Sequence, residues 1–200
     1  HDDRVEIETA VHISSMSICL PAQGPGRWTG HADGRVARPA DMRREAGVRA
    51  FPRPGPRMTQ PADYDKLRYF AYGPLESYID KRQASLLGWH VDTVETQYAH
   101  PLRPQESGSH YGARSLTLHG AQGALRIEGE GFGFSALNYS QEQLADVAHD
   151  DELSCEDRCV LCLDMAQRGI GSNSCGPELP ACYEIADHIQ WQVMLDPLAE

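Results

Sequence analysis

Short apolar segments, each closed off by glycine or proline, recur along most of this chain, and no other feature constrains its fold as tightly. Strand candidates lie at 58–60, 66–72, 91–96, 115–119, 125–129, 132–136, 160–167 and 185–195. Turns at Pro54-Gly55-Pro56 and Gly73-Pro74 separate the first of them. Residues 4–20 open with alternation, Val5, Ile7 and Thr9 on one side and Glu6 and Glu8 on the other, continued through Ile13 and Ile18. One helix stands out. Ser140 is a suitable N-cap, Glu142 and Gln143 fill the first turn, and Leu144 and Val147 supply an apolar side through His149. Many short strands with a single brief helix read as an all-β fold, a large antiparallel β-sandwich.

Residues 20–50 break the pattern. Pro21, Gly24, Pro25, Gly26, Gly30, Gly34 and Pro39 interrupt any period, and arginine is dense from Arg35 to Arg57. The expectation there is a long loop, or disorder, inside a poorly patterned segment 1–50, followed by a better ordered domain over 51–200.

Charge and cysteine usage narrow the classes further. A formal net charge of −11 argues against nucleic acid, which asks for clustered Lys and Arg. No run approaches the roughly 20 apolar residues of a membrane span. The chain opens at His1 with no Met and no signal-peptide pattern, which suggests a segment of something longer. Six cysteines raise the question of a metal or disulfide framework. Cys159 and Cys162, however, fall within one apolar run that reads as a strand, where residues three apart point to opposite faces. Free thiols in a reducing cytoplasm are the better reading, and no metal is assigned to this domain.

Four strings then stand in order. Tyr72-Gly73-Pro74-Leu75-Glu76-Ser77-Tyr78-Ile79-Asp80-Lys81 resembles the Gly-Pro-x-Glu-x-Tyr-x-Asp-Arg/Lys signature of the β-galactosidases of glycoside hydrolase family two. Tyr98 to Gly108, followed by Arg114 and Leu116, is similar to that family's Tyr…Pro-x-Glu-x-Gly segment. Phe132-Gly133-Phe134, leading to Tyr139-Ser140 and Leu144 and then to His149 and Leu153, matches a third stretch. Leu163-Asp164 with Gly169-Ile170-Gly171-Ser172-Asn173-Ser174-Cys175-Gly176-Pro177 resembles the fourth.

The resemblance runs from Phe51 to Leu195. It implies the C-terminal supersandwich of these enzymes, related in architecture to galactose mutarotase. It also implies a division of labour. The acid/base and nucleophile glutamates, roughly 5 Å apart in a retaining mechanism, sit in the family on a TIM barrel N-terminal to this domain. No barrel motif occurs here, so no catalytic residue is assigned and the chain alone is expected to be inactive. The implied partners are the remaining β-galactosidase domains or a large subunit, a galactoside substrate, and further subunits of an oligomer. Magnesium and sodium used by the complete enzyme are implied to bind elsewhere.

Within the chain, the 169–177 loop is the best functional candidate, with Asn173, Ser174 and Cys175 as substrate-binding residues. In one branch of the family a Trp on this loop is a platform for the sugar, and here Cys175 holds its place. The competing reading is a tight turn that needs small residues at Gly169, Gly171 and Gly176. For Glu76, Asp80 and Glu106 a structural role is expected, holding loops through carboxylate-to-backbone hydrogen bonds and through an ion pair with Lys81 or Arg82. Trp89 and Trp191 read as core aromatics. Three further functions stay open: a stand-alone carbohydrate-binding module, a purely structural domain, and an aldose epimerase. An epimerase would need one acid and one base bracketing a sugar, from among His90, His100, His110, His149 and His188.

Overall fold

A computed structural model of the chain describes residues 4–15, 18–45, 51–171 and 177–199. Ten strands and one short α-helix are present among them. In chain order the strands are β1 (Arg4–Ser15), β2 (Ile18–His31), β3 (Val36–Arg44), β4 (Arg57–Pro61), β5 (Lys66–Gly73), β6 (Leu86–Thr93), β7 (Ser109–Gly120), β8 (Gly123–Leu137), β9 (Arg158–Asp164) and β10 (His188–Leu198). Helix α1 (Gln141–Asp146) sits between β8 and β9. All pairings are antiparallel, in the order β1-β2-β3-β10-β8-β7-β5-β6, with β9 on β8 and β4 on β9. The all-β expectation holds.

Strand β8 organises the molecule. Its first half, Ala124 to Gly129, pairs with β10, while its second half, Gly133 to Leu137, pairs with β9. On its other side it runs along β7 with register shifts between His110 and Ser115. Gly131, at φ +70°, lies between the two halves, in a conformation that carries a steric cost for any residue with a Cβ. The two halves thus serve different neighbours. The core gathers beneath this branch: Leu67 and Tyr69 of β5, Leu116 and Leu118 of β7, Ile127, Phe132 and Phe134 of β8, Leu161 and Leu163 of β9, Trp191 and Val193 of β10. A second small cluster of Tyr98, Leu137 and Leu144 holds α1 in place. The Ser140 hydroxyl accepts from the Gln143 amide at 3.4 Å as a cap, and the helix ends at Asp146, short of the expected His149.

Residues 20–44 overturn the expectation of a loop: β2 and β3 occupy them and join the sheet through β3–β10. One of the glycines that look like breakers, Gly24, permits close strand approach. A Cβ on Gly24 would overlap the carbonyl oxygen of Asp41 on β3. The arginines find acids on neighbouring backbone, Arg35 on Asp33 and Arg44 on Asp187. Strand β6 also differs from the expected 91–96: it begins at Leu86, and Glu95–Gln97 is a 3-10 turn. Of the two tryptophans read as core, Trp191 is buried, but Trp89 is 52% exposed on β6. Its row of the strand faces away from the core, since β6 alternates Leu87, Trp89 and Val91 outward with Gly88, His90 and Asp92 inward.

Candidate functional site

The loop after β5 is built on two buried residues. Ser77 and Tyr78 are fully buried; the Ser77 amide donates to the Ser109 carbonyl at 2.7 Å, and its hydroxyl donates to the Tyr72 carbonyl at 2.9 Å. Tyr78 and Lys81 exchange backbone hydrogen bonds at 2.9 and 3.1 Å, closing a tight turn. With Ser77 and Tyr78 anchored inward, Glu76 and Asp80 are left to reach other segments. Glu76 accepts from the Gly108 amide at 2.9 Å and from the Ser107 hydroxyl at 3.3 Å, and pairs with Lys81. Burial alone would raise its pKa, but Lys81 and the Gly108 amide outweigh it and hold the carboxyl below the ordinary value. Asp80 accepts from the amides of Ile170 at 3.3 Å and Gly171 at 2.9 Å. Gly169, at φ +97°, lies so close that a Cβ would overlap the same carboxylate. The structural role expected of these acids is what the geometry displays.

A second anchor lies beside the first. Arg53, in the proline-rich stretch before β4, extends its fork to three elements: Nη1 to Glu106 at 2.6 Å, Nε to Asp164 at the end of β9, and Nη2 to the Ser135 hydroxyl of β8 at 2.9 Å. Asp164 is 2% exposed. Burial pushes its carboxyl up, and the guanidinium only partly draws it back; Glu106 is raised in the same way. Arg53 itself is held above the usual guanidinium range, because the two carboxylates outweigh its own desolvation. Two acids share one cation, and one oxygen of each, Glu106 Oε1 and Asp164 Oδ2, is buried without a hydrogen-bond partner among the described residues. The strand sequence carried a signal for this pair: Asp164 closes the apolar run from Cys159, and a buried acid calls for a cation. The identity of that cation, 111 residues away, was not readable.

Between the two anchors is a cleft of about 590 Å³, lined by Arg53, Glu76, Lys81, Glu106, Gly169 and Ile170 among others. The charged groups on its wall are already paired with one another, so it offers fixed polar contacts rather than a free acid and base. Asn173, Ser174 and Cys175, the residues expected to touch substrate, lie outside the described residues; the segment leading to them borders this cleft at Gly169 and Ile170.

The histidines divide similarly. His110 and Glu76 both border an adjoining cavity of about 610 Å³, the convergence an epimerase would need. His110 is 1% exposed, however, with Nδ1 at 3.1 Å from the Tyr72 carbonyl and Nε2 at 2.5 Å from Gln97 Oε1. Burial pushes its pKa down to about 4. Both nitrogens are engaged, and Glu76 is committed to Lys81, so the pair is not placed as an acid and a base for a sugar. His100 pairs with Asp150 at 3.0 Å and His188 with Asp41 at 2.8 Å. Cys159 and Cys162 sit on opposite faces of β9 as free thiols, Cys159 raised to about 12 by burial and by its neighbour. Among the described residues no group of three or more His, Cys, Asp or Glu is gathered as a metal would require.

Comparison with known proteins gives the same picture across nearly the whole chain. A family model described as beta galactosidase small chain matches residues 2–195. Among curated relatives, the beta-galactosidase of Staphylococcus xylosus is 31% identical over 97% of this chain, which is 20% of that protein. The beta-galactosidase of Actinobacillus pleuropneumoniae is 34% identical over 78% of the chain and 15% of its own length. That of Streptococcus thermophilus is 33% identical over 82% of the chain and 17% of its own length. The chain spans about a fifth or less of the relatives it matches.

Proposed function

Because this chain belongs to the β-galactosidase small-chain family, we propose that it completes a larger enzyme which hydrolyses terminal β-galactose from β-galactosides such as lactose. The observation that carries this reading is the extent of the match, nearly all of this chain against a fifth or less of enzymes named beta-galactosidase. The remaining polypeptide supplies the catalytic glutamates on its barrel. This domain supplies a rim of the active site. The Asp80 and Arg53 anchors support that role, since they hold the approach to the 169–177 segment against a rigid sheet. On the family resemblance, Asn173, Ser174 and Cys175 contribute its sugar-facing part. Four unpaired thiols among the described residues support a reducing, cytoplasmic setting. No helix among the described residues is long and apolar enough to cross a membrane.

The test is hydrolysis of an aryl β-galactoside by the purified chain, alone and mixed with a β-galactosidase polypeptide of the same source that lacks this segment. Activity is expected in the mixture only. Turnover by the chain alone would overturn the reading, because a carboxylate pair would then have to lie within these 200 residues.

A further inference from the structure

Among the described residues strand β6 is the last strand at its end of the sheet, with no neighbour on its outer side. Its outward row exposes Leu87 at 42%, Trp89 at 52% and Val91 at 77%. Phe70 of β5 continues the row, directly opposite Trp89 and in edge-to-face contact at 5.5 Å between ring centroids. A contiguous apolar surface on an unprotected edge marks a place that another protein surface covers.

Three features of the patch select its occupant. Arg68 lies over the face of Trp89 at 4.1 Å from its centroid, so the guanidinium takes the stacking surface that a sugar ring would use. Arg114 lies over Phe70 at 5.9 Å, and Arg82 over Tyr111 at 4.9 Å. None of these three arginines makes an ion pair among the described residues, although the chain as a whole carries −11. The patch is therefore apolar at its centre and cationic at its border. A second copy meeting it patch to patch would set arginine against arginine, because a two-fold contact opposes a surface with itself. A partner bearing Asp and Glu around an apolar centre satisfies both parts.

We propose that the outer face of β5 and β6, centred on Trp89 and bordered by Arg68, Arg82 and Arg114, is the surface on which this domain docks against the rest of the β-galactosidase polypeptide, through an apolar area ringed by carboxylates. This rests on the reading above that the chain completes a larger enzyme. Trp and Arg are the residue types that dominate binding at the centre of such contacts. Trp89 is half exposed and its ring contacts among the described residues are with Phe70 and Arg68 on the same outer face, so the fold of the free domain is expected to survive its replacement.

The experiment is a titration of the β-galactosidase polypeptide lacking this segment with wild-type chain, with Trp89→Ser, with Arg68→Glu/Arg114→Glu, and with Arg158→Ser on β9 as a control. Thermal melting of each variant alone checks its fold. Both patch variants are expected to raise Kd at least about 30-fold, and the control less than about 3-fold. Oxidative footprinting of the wild-type complex supplies a readout without mutation: Trp89 is expected to be protected on binding. Wild-type binding with Trp89 still oxidised and Trp89→Ser binding unchanged would overturn the proposed surface and leave the enzyme assignment standing. No binding by the wild-type chain would overturn the assignment and the docking surface together.

Discussion

The two ends of this sheet are built from the same element type but differ in what lies beneath them. In β5, β7, β8 and β9 the inward residues are almost wholly buried: Leu67, Tyr69, Leu116, Phe134 and Leu161 are all at 1% exposure or less. Strands β1 and β2 are equally regular and as long as β7 and β8, and their register runs from Arg4 opposite His31 to Ile13 opposite Ala22 before it shifts. Yet Val5 and Ile7 are 66% and 57% exposed. Directly opposed residues share a face of the sheet. The series Trp191, Ala40, Gly26 and Thr9 therefore places Val5, Ile7 and Trp28 on the face that elsewhere becomes the core. Among the described residues the face continues but its cover does not, apart from Arg38 lying over Trp28 at 4.6 Å. Strand formation and core membership are separable. Hydrogen bonding to a neighbour produces the first, and a second layer produces the second.

The sharpest way to break this contrast is to remove the cation from the buried end. Arg53→Met leaves Asp164 without its partner in the interior, and the expected loss in unfolding free energy is about 3–5 kcal/mol, read from denaturant titration. The loss should be largest at neutral pH and shrink in acid, because Asp164 can escape by taking a proton. A loss independent of pH would mean that Arg53 matters only for packing. Phe134→Ala should cost a similar or slightly smaller amount, about 3–4 kcal/mol, through lost transfer energy and the cavity left behind.

Third in size is a pH effect carried by His110. Its folded pKa, about 4, lies below the ordinary 6.5, so the unfolded chain binds the proton first. Stability from this group is full above pH 6.5 and falls as pH drops toward 4, by about 3 kcal/mol. Asp164 and Glu106 run the other way. Their folded values are raised, so they favour the fold most in acid, and that contribution is lost as pH rises. Comparing wild type with His110→Gln between pH 4 and 7 removes this shared background: the difference in stability between wild type and variant should move against wild type as pH falls from 7 toward 4. At the open end Ile7→Ser should change the stability of the chain by less than about 0.5 kcal/mol. A larger loss would show that β1 has cover of its own.

Much of the buried half was legible in the sequence. Segment 66–72 alternates, and the structure buries Leu67, Tyr69 and Ala71 accordingly. The unbroken run at 159–163 announced a strand buried on both faces, and β9 is one. Ser140 announced the one helix. The open half was misread because β2 and β3 hold few β-branched residues, Ile18, Thr29 and Val36, among several glycines and prolines, which single-chain patterns count as breaks. Gly24 is explained by the neighbouring strand, whose Asp41 carbonyl lies too close for a Cβ. Trp89 was misread for a related reason. A tryptophan in a strand reads as core, and which of two faces is buried depends on what packs there.

At the site, the residue types were legible and their partners were not. Glu76, Asp80 and Glu106 could be assigned to loop-holding from residue type and turn position, but what they hold lies far along the chain: Gly108 for Glu76, Ile170 and Gly171 for Asp80, and Arg53 for Glu106. What the sequence determined by itself was therefore the all-β class, the family, and the local chemistry of each turn, since period, capping and motif order are properties of consecutive residues. Only the tertiary structure decided that Arg53 would hold Asp164 and Glu106, that β8 would serve two neighbours, and that Val5 and Trp89 would stay exposed. Those outcomes depend on contacts between distant segments, which are settled when the sheet closes on its core and not before.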